Sequence, residues 1–140
     1  MPHLTLEHSG NLATQADFAG LCAKLAKTLI DQRADGKPVY AIGGVRVRAI
    51  PCDAYCIADG SLPDAGFVHG RLAIAAGRGA AVLKVSGDAL FDVMKTHFAK
   101  HYEQHPLALS LEIAEFDAAT WKHNNLHAFF DHADSDNKKR

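Results

Sequence analysis

The feature that most restricts the fold of this chain is a pattern that occurs twice: an alternating strand, an amphipathic helix, and a second alternating strand. In the first copy Leu4 and Leu6 alternate with His3, Thr5 and Glu7 over residues 2–8, the period of two of a half-buried strand. Thr14 and Asp17 then have the spacing of a capping box with Asp in the Glu position. Phe18, Leu21, Cys22, Leu25 and Leu29 follow at i, i+3, i+4, i+7 and i+11, which predicts an amphipathic helix ending near residue 32. After the turn cluster Asp35-Gly36-Lys37-Pro38, residues 45–50 alternate again, with Arg46 and Arg48 on one face and Val45 and Val47 on the other. The second copy starts with a strand over 66–74 and a tight loop, Ala76-Gly77-Arg78-Gly79. A helix over about 80–102 has Leu83, Leu90, Phe91, Met94 and Phe98 on one stripe and ends before Pro106. Gly87 lies on that stripe and lowers helix propensity by about 0.8–1 kcal/mol relative to Ala, which predicts a close approach to the sheet there. A fourth strand over 107–116 sets Leu107, Leu109, Leu111 and Ile113 against Ala108, Ser110 and Glu112.

Each β-α-β unit is expected to be a right-handed crossover between parallel strands. The fold class is therefore α+β in two layers: one four-stranded mixed sheet with both helices on a single face. Residues such as Leu4 or Val47 on the other face would be hard to solvate, so oligomerisation is expected to cover it. Residues 1–130 read as one domain, with the repeats over about 2–50 and 66–116 and an irregular connection over 51–64. An arm over 117–130, rich in aromatics through Trp121, Phe129 and Phe130, is expected to pack on the domain or on a neighbour. The polar stretch 131–140 is expected to fray as a disordered tail.

Composition excludes several function classes. Lys and Arg number 15 against 16 Asp and Glu, a net charge of -1, so no basic field points to nucleic acid and anion recognition has to be local. Neither a membrane-length apolar run nor an apolar leader is present, which predicts a cytoplasmic protein with no membrane partner. Cys22, Cys52 and Cys56 are odd in number and form no C-x-x-C pair, as suits reduced thiols. There is no G-x-S-x-G and no P-loop.

Chemistry is concentrated at the N-terminus. Pro2 directly follows Met1, so removal of the methionine would leave a secondary amine at the head of the first strand. Such an amine works as a base near neutral pH when burial or cations lower its pKa. Arg46, Arg48 and Arg78 are the cations available. A guanidinium grips a carboxylate as a bidentate fork, and Arg78 adds the partial positive charge of a helix N-terminus. The blander alternatives are a processing signal at Pro2 and arginines that keep a sheet edge soluble. His97, His101 and His105 recur at i, i+4 and i+8, but with no third-ligand motif a solvated helix face is expected rather than a metal site. His69 and His127 read as core or interface histidines.

Pro2 heading a strand, the two β-α-β units, Gly44-Val45-Arg46-Val47-Arg48, Phe67-Val68-His69, Ala76-Gly77-Arg78, Lys95-Thr96-His97-Phe98 and the tail from Lys122-His123-Asn124-Asn125 to Phe130 together resemble the 5-carboxymethyl-2-hydroxymuconate Δ-isomerase family of the tautomerase superfamily. The resemblance reaches to about residue 130. It implies a homotrimer whose sheets line the centre, active sites near subunit boundaries, and no metal or organic cofactor. It implies a reaction in bacterial homoprotocatechuate degradation, the ketonisation of a polycarboxylate dienol to its unsaturated 2-oxo isomer. In it Pro2 is the catalytic base, Arg46 and Arg78 bind the substrate, and Arg48 is a weaker candidate for binding. Other superfamily reactions, such as phenylpyruvate-type tautomerisation, dehalogenation or decarboxylation, use the same proline. A non-catalytic trimeric interaction protein is the alternative of a different class.

Overall fold

The computed structural model of the chain describes residues 1–116 and 119–138, the side chains of 135–138 excepted. Positions 117–118 at the head of the arm and 139–140 at the end of the tail lie outside the described residues. The two repeats comprise β1 (His3–Ser9), α1 (Phe18–Ile30), β2 (Arg46–Cys52), β3 (Gly66–Ile74), α2 (Ala80–His97) and, after a short α3 (Ala99–Gln104), β4 (Leu107–Glu115). The strands form one mixed sheet in the order β2-β1-β3-β4, in which β1 is parallel to β2, β3 is parallel to β4, and the central β1 and β3 are antiparallel. This is the α+β class read from the sequence. No helix of the described residues is long and apolar enough to cross a membrane.

Register decides which face is buried. Leu4 pairs with Val47 on one side and Leu72 on the other, and Leu6 with Ala49 and Gly70. Paired residues share a face, so Leu4, Leu6, Val68, Leu72 and Ile74 all lie under Leu21, Leu25 and Leu29 of α1 and Leu90 and Met94 of α2, with no exposure. Each such side chain contributes roughly 1.5–3 kcal/mol. Packing is tight at Gly70, where a Cβ would come within 2.9 Å of a Leu111 methyl and 3.2 Å of a Leu6 methyl, so either would have to shift. The same register corrects the expectation that Leu4 or Val47 lies on the uncovered face: both belong to the helix side. The open face instead carries Thr5, Glu7, Arg48, His69, Arg71, Ser110 and Glu112. His69 joins the last two, 2.7 Å from Ser110 Oγ and 3.2 Å from Glu112 Oε1.

Other elements differ in detail. Asp17, not Thr14, caps α1, its carboxylate accepting the Gly20 N–H at 2.8 Å, while Thr14 closes a 3-10 turn over Gly10–Thr14. The turn cluster is a tight hairpin between Arg33–Ala34 and Lys37–Pro38, with Asp35 and Gly36 both at positive φ, as a primed two-residue turn requires. The single helix expected to residue 102 breaks at Phe98, where no Gly or Pro stands. Phe98 is buried, and its ring lies 5.9 Å from that of Phe18, which in turn stacks on His8. Anchoring that ring takes Phe98 out of helical geometry, and α3 restarts beyond it. At the C-terminus α4 spans Leu126–Lys138, so the helix continues past residue 131, where fraying was expected. No Gly or Pro interrupts that stretch, and a helix once nucleated adds one hydrogen bond per residue.

Candidate active site

The beginnings of β1 and β2, the loop before α2 and the start of α4 converge on the chain terminus. A cleft of about 410 Å3 is lined by Met1, Pro2, Ala41, Gly44, Arg78, Lys122, Asn124 and His127. Its floor is the 3-10 turn Ile42–Gly44, which leads into β2 and sets the Arg46 N–H 3.0 Å from the Pro2 carbonyl. Arg46 Nη1 donates to the carbonyl of Gly43 at 3.0 Å and to that of Val45 at 3.1 Å. Asn124 Nδ2 donates to the same Gly43 carbonyl at 2.9 Å, while Asn124 Oδ1 accepts the Leu126 N–H at 2.8 Å and so turns the chain into α4. A Cβ on Gly43 would lie 2.9 Å from the backbone nitrogen of His127, so glycine alone allows this approach.

Arg78 is fixed from the other side. Its Nη1 donates to Ala75 O at 2.8 Å and its guanidinium lies 5.0 Å from the Tyr40 ring centroid; the Tyr40 hydroxyl in turn donates to buried Ser86 Oγ at 2.9 Å. The amine at this terminus, here that of Met1, has its pKa lowered below the ordinary 8.0. Burial is the largest cause, followed by the charges of Lys122, Arg78 and Arg46. The surroundings therefore favour a neutral amine, and the same cations favour an anion bound beside it.

Of the residues singled out in the sequence, Pro2 and Arg78 line the cleft, while Arg46 lies outside the lining and reaches the terminal amine through its charge. Arg48 does not line the cleft. It lies with His3, Thr5, Arg71 and Phe116 around a neighbouring depression on the open sheet face, its Nη1 3.2 Å from His3 Nδ1. His97 has both ring nitrogens engaged, with Lys24 Nζ at 3.2 Å and Asp17 O at 2.9 Å, and His101 stacks on His105 at 4.5 Å. Among the described residues no three His, Cys, Asp or Glu are grouped to hold a metal. Lys122 and Asn124 carry no sequence signal beyond the tail motif, and His127, read as a core or interface histidine, is instead exposed at the cleft; all three reach it through the return of the C-terminal arm.

The duplicated β-α-β sheet is the fold of the tautomerase-like proteins, and the comparisons with known proteins are specific within that class. A profile of the 5-carboxymethyl-2-hydroxymuconate isomerase family matches residues 2–130. The 5-carboxymethyl-2-hydroxymuconate Delta-isomerase of Escherichia coli is 40% identical over 131 residues, covering 93% of this chain and 99% of the relative. The crystal structure of a 5-carboxymethyl-2-hydroxymuconate isomerase from Deinococcus radiodurans R1 superposes with a TM-score of 0.84 at 46% identity, covering 92% of this chain and 93% of that one. A second crystal structure, of a 5-carboxymethyl-2-hydroxymuconate delta-isomerase, has a TM-score of 0.86 at 33% identity, with 93% of each chain covered. The chain belongs to the 5-carboxymethyl-2-hydroxymuconate isomerase family and is an isomerase.

Proposed function

We propose that the protein ketonises 5-carboxymethyl-2-hydroxymuconate to its unsaturated 2-oxo isomer, with Pro2, freed by removal of Met1, as the general base and then the general acid. The observation that carries this reading is the environment of the terminal amine, here that of Met1, whose pKa is lowered first by burial and then by the charges of Lys122, Arg78 and Arg46 in and around the cleft. Without Met1, the Pro2 nitrogen is a secondary amine in these same surroundings; with Met1 attached it is an amide and has no basic lone pair. The neutral amine takes the proton of the 2-hydroxyl, and the O–H electron pair forms the carbonyl at C2. The double bonds shift along the diene, and the resulting ammonium returns its proton to the distal carbon. No atom is gained or lost, so the step consumes no oxidant, reductant or co-substrate. Arg46 and Arg78 hold substrate carboxylates and stabilise the dienolate. Arg48, in the adjoining depression, is the weaker candidate for holding a substrate carboxylate.

The working form in this reading is a cytoplasmic homotrimer with its sheets inward and active sites near subunit boundaries, serving homoprotocatechuate degradation. In support, Trp121 is 88% and Phe129 65% exposed on the single chain, large aromatic side chains on the arm for a neighbour to cover. The test is the ultraviolet rate of ketonisation by protein shown by intact mass to lack Met1, with sedimentation to establish the oligomer. Turnover that vanishes in a form retaining Met1 is the expected result. A processed protein that leaves this dienol untouched overturns the assignment.

A further inference from the structure

The substrate proposed above has three carboxylates, two at the ends of the muconate chain and one on the carboxymethyl branch. The residues lining the cleft include no Asp or Glu, so its positive charge is not balanced from within. Arg78 is one cation of the site, and Arg46, bound to the Gly43 carbonyl outside the lining itself, is a second whose charge reaches the terminal amine. Lys122 is the third. It is exposed at the cleft rim, and no carboxylate among the described residues forms an ion pair with it.

Its placement is set by the fold. Asn124, two residues on, clamps the arm to the Gly43 carbonyl that also holds Arg46, and its Nδ2 lies 3.5 Å from Met1 Sδ. One backbone oxygen thereby fixes the first strand's partner and the C-terminal arm relative to each other. The two arginines and the lysine differ in kind. Arg46 and Arg78 are tethered by carbonyls, whereas an ammonium on a flexible stem carries three rotatable donors and takes a carboxylate as a point charge from many angles. That suits the carboxylate on the most mobile part of the ligand, the branch.

Resting on the ketonisation reading, we propose that Lys122 is the anchor for the carboxymethyl carboxylate, so that the C-terminal arm determines the preference for a tricarboxylate over a dicarboxylate dienol. The influence of Lys122 on the terminal amine places its charge within electrostatic reach of the reacting nitrogen.

The test compares 5-carboxymethyl-2-hydroxymuconate with the same dienol lacking the carboxymethyl group, at a pH above the acid limb so that the base is neutral in every variant. In Lys122→Gln the ratio of kcat/KM for the tricarboxylate to that for the dicarboxylate is expected to fall about 10–100-fold, chiefly through KM for the tricarboxylate. Lys122→Arg is expected to restore most of the ratio. Equal losses on both substrates, or an unchanged ratio, overturn the proposal while leaving the isomerase reading in place. A wild-type protein that turns over neither dienol overturns both.

Discussion

Arg78 shows how the core reaches into the chemistry. Ala75 O takes one of its five N–H donors, and the Tyr40 ring beneath it is held by a buried hydrogen bond to Ser86. The guanidinium thus enters the cleft already oriented, with less ordering entropy to lose on binding than a free arginine. Arg78→Ala is expected to lower kcat/KM about 10²–10³-fold, and Arg78→Lys, which keeps the charge but loses the stack and the fork, to recover part of it. The same variant tests the base. Arg78 is among the causes that lower the terminal amine's pKa, so its removal raises that pKa. The acid limb of the kcat/KM profile, which follows protonation of the base, is then expected to move to higher pH. A limb that stays in place in Arg78→Ala refutes the electrostatic link. Pro2, Arg46 and Arg78 were legible in the sequence because each sits at the head of an element whose start the pattern marks. Lys122 and Asn124 were not: no local spacing relates residue 122 to residue 2, and their approach depends on how the chain returns.

Elements were legible where periodicity governs them and illegible where tertiary contacts do. Both repeats follow from spacing, whereas the break at Phe98 follows from a ring anchored between Phe18 and the core, which no propensity records. The two glycines on which elements meet have opposite expectations. At Gly43 an added Cβ would meet the ring of His127 at 2.6 Å and its backbone at 2.9 Å, so α4 has to move and the clamp between Asn124 and the Gly43 carbonyl opens. Gly43→Ala is expected to lose about 10–100-fold in kcat/KM, as small misplacements of binding groups do, while its urea midpoint stays close to that of the parent. Equal activity in the two proteins shows that the arm does not position the site. At Gly87 the sequence predicted a close approach to the sheet, and the contact found is an ordinary one, 3.5 Å from a Cβ to Ile113 Cδ1. Gly87→Ala is therefore expected to stabilise the protein by about 0.5–1 kcal/mol, through helix propensity and a less flexible unfolded chain, read as a higher urea midpoint. A lower midpoint means that the helix cannot accommodate even this contact.

At the scale of the whole molecule, topology was legible from the two repeats, and the character of the open face was not, because assigning Leu4 and Val47 to it overlooked that they pair with each other and point together. Histidines on the sheet and at the end of α2 and in α3 stand where their charged form is disfavoured. His3 lies beside Arg48 and Arg46 on the sheet, His97 bridges α2 to Lys24 and Asp17 of the first repeat, and His101 stacks on His105. All three have pKa values below the ordinary 6.5. Burial is the first cause in each, followed by Arg48 and Arg46 for His3, Lys24 for His97 and His105 for His101. Between the lowered values and 6.5 the unfolded chain binds protons that the folded chain refuses, so stability rises with pH across that window and levels off above it. Their contribution is fully present above pH 6.5 and is lost as pH falls through the folded values. Urea unfolding followed from about pH 7.5 down to about pH 5.5 is expected to show a falling midpoint, less steep in His97→Gln, which has no proton to gain there. A midpoint that holds level or climbs over that range would mean that these histidines accept protons as readily in the folded protein as in the unfolded chain.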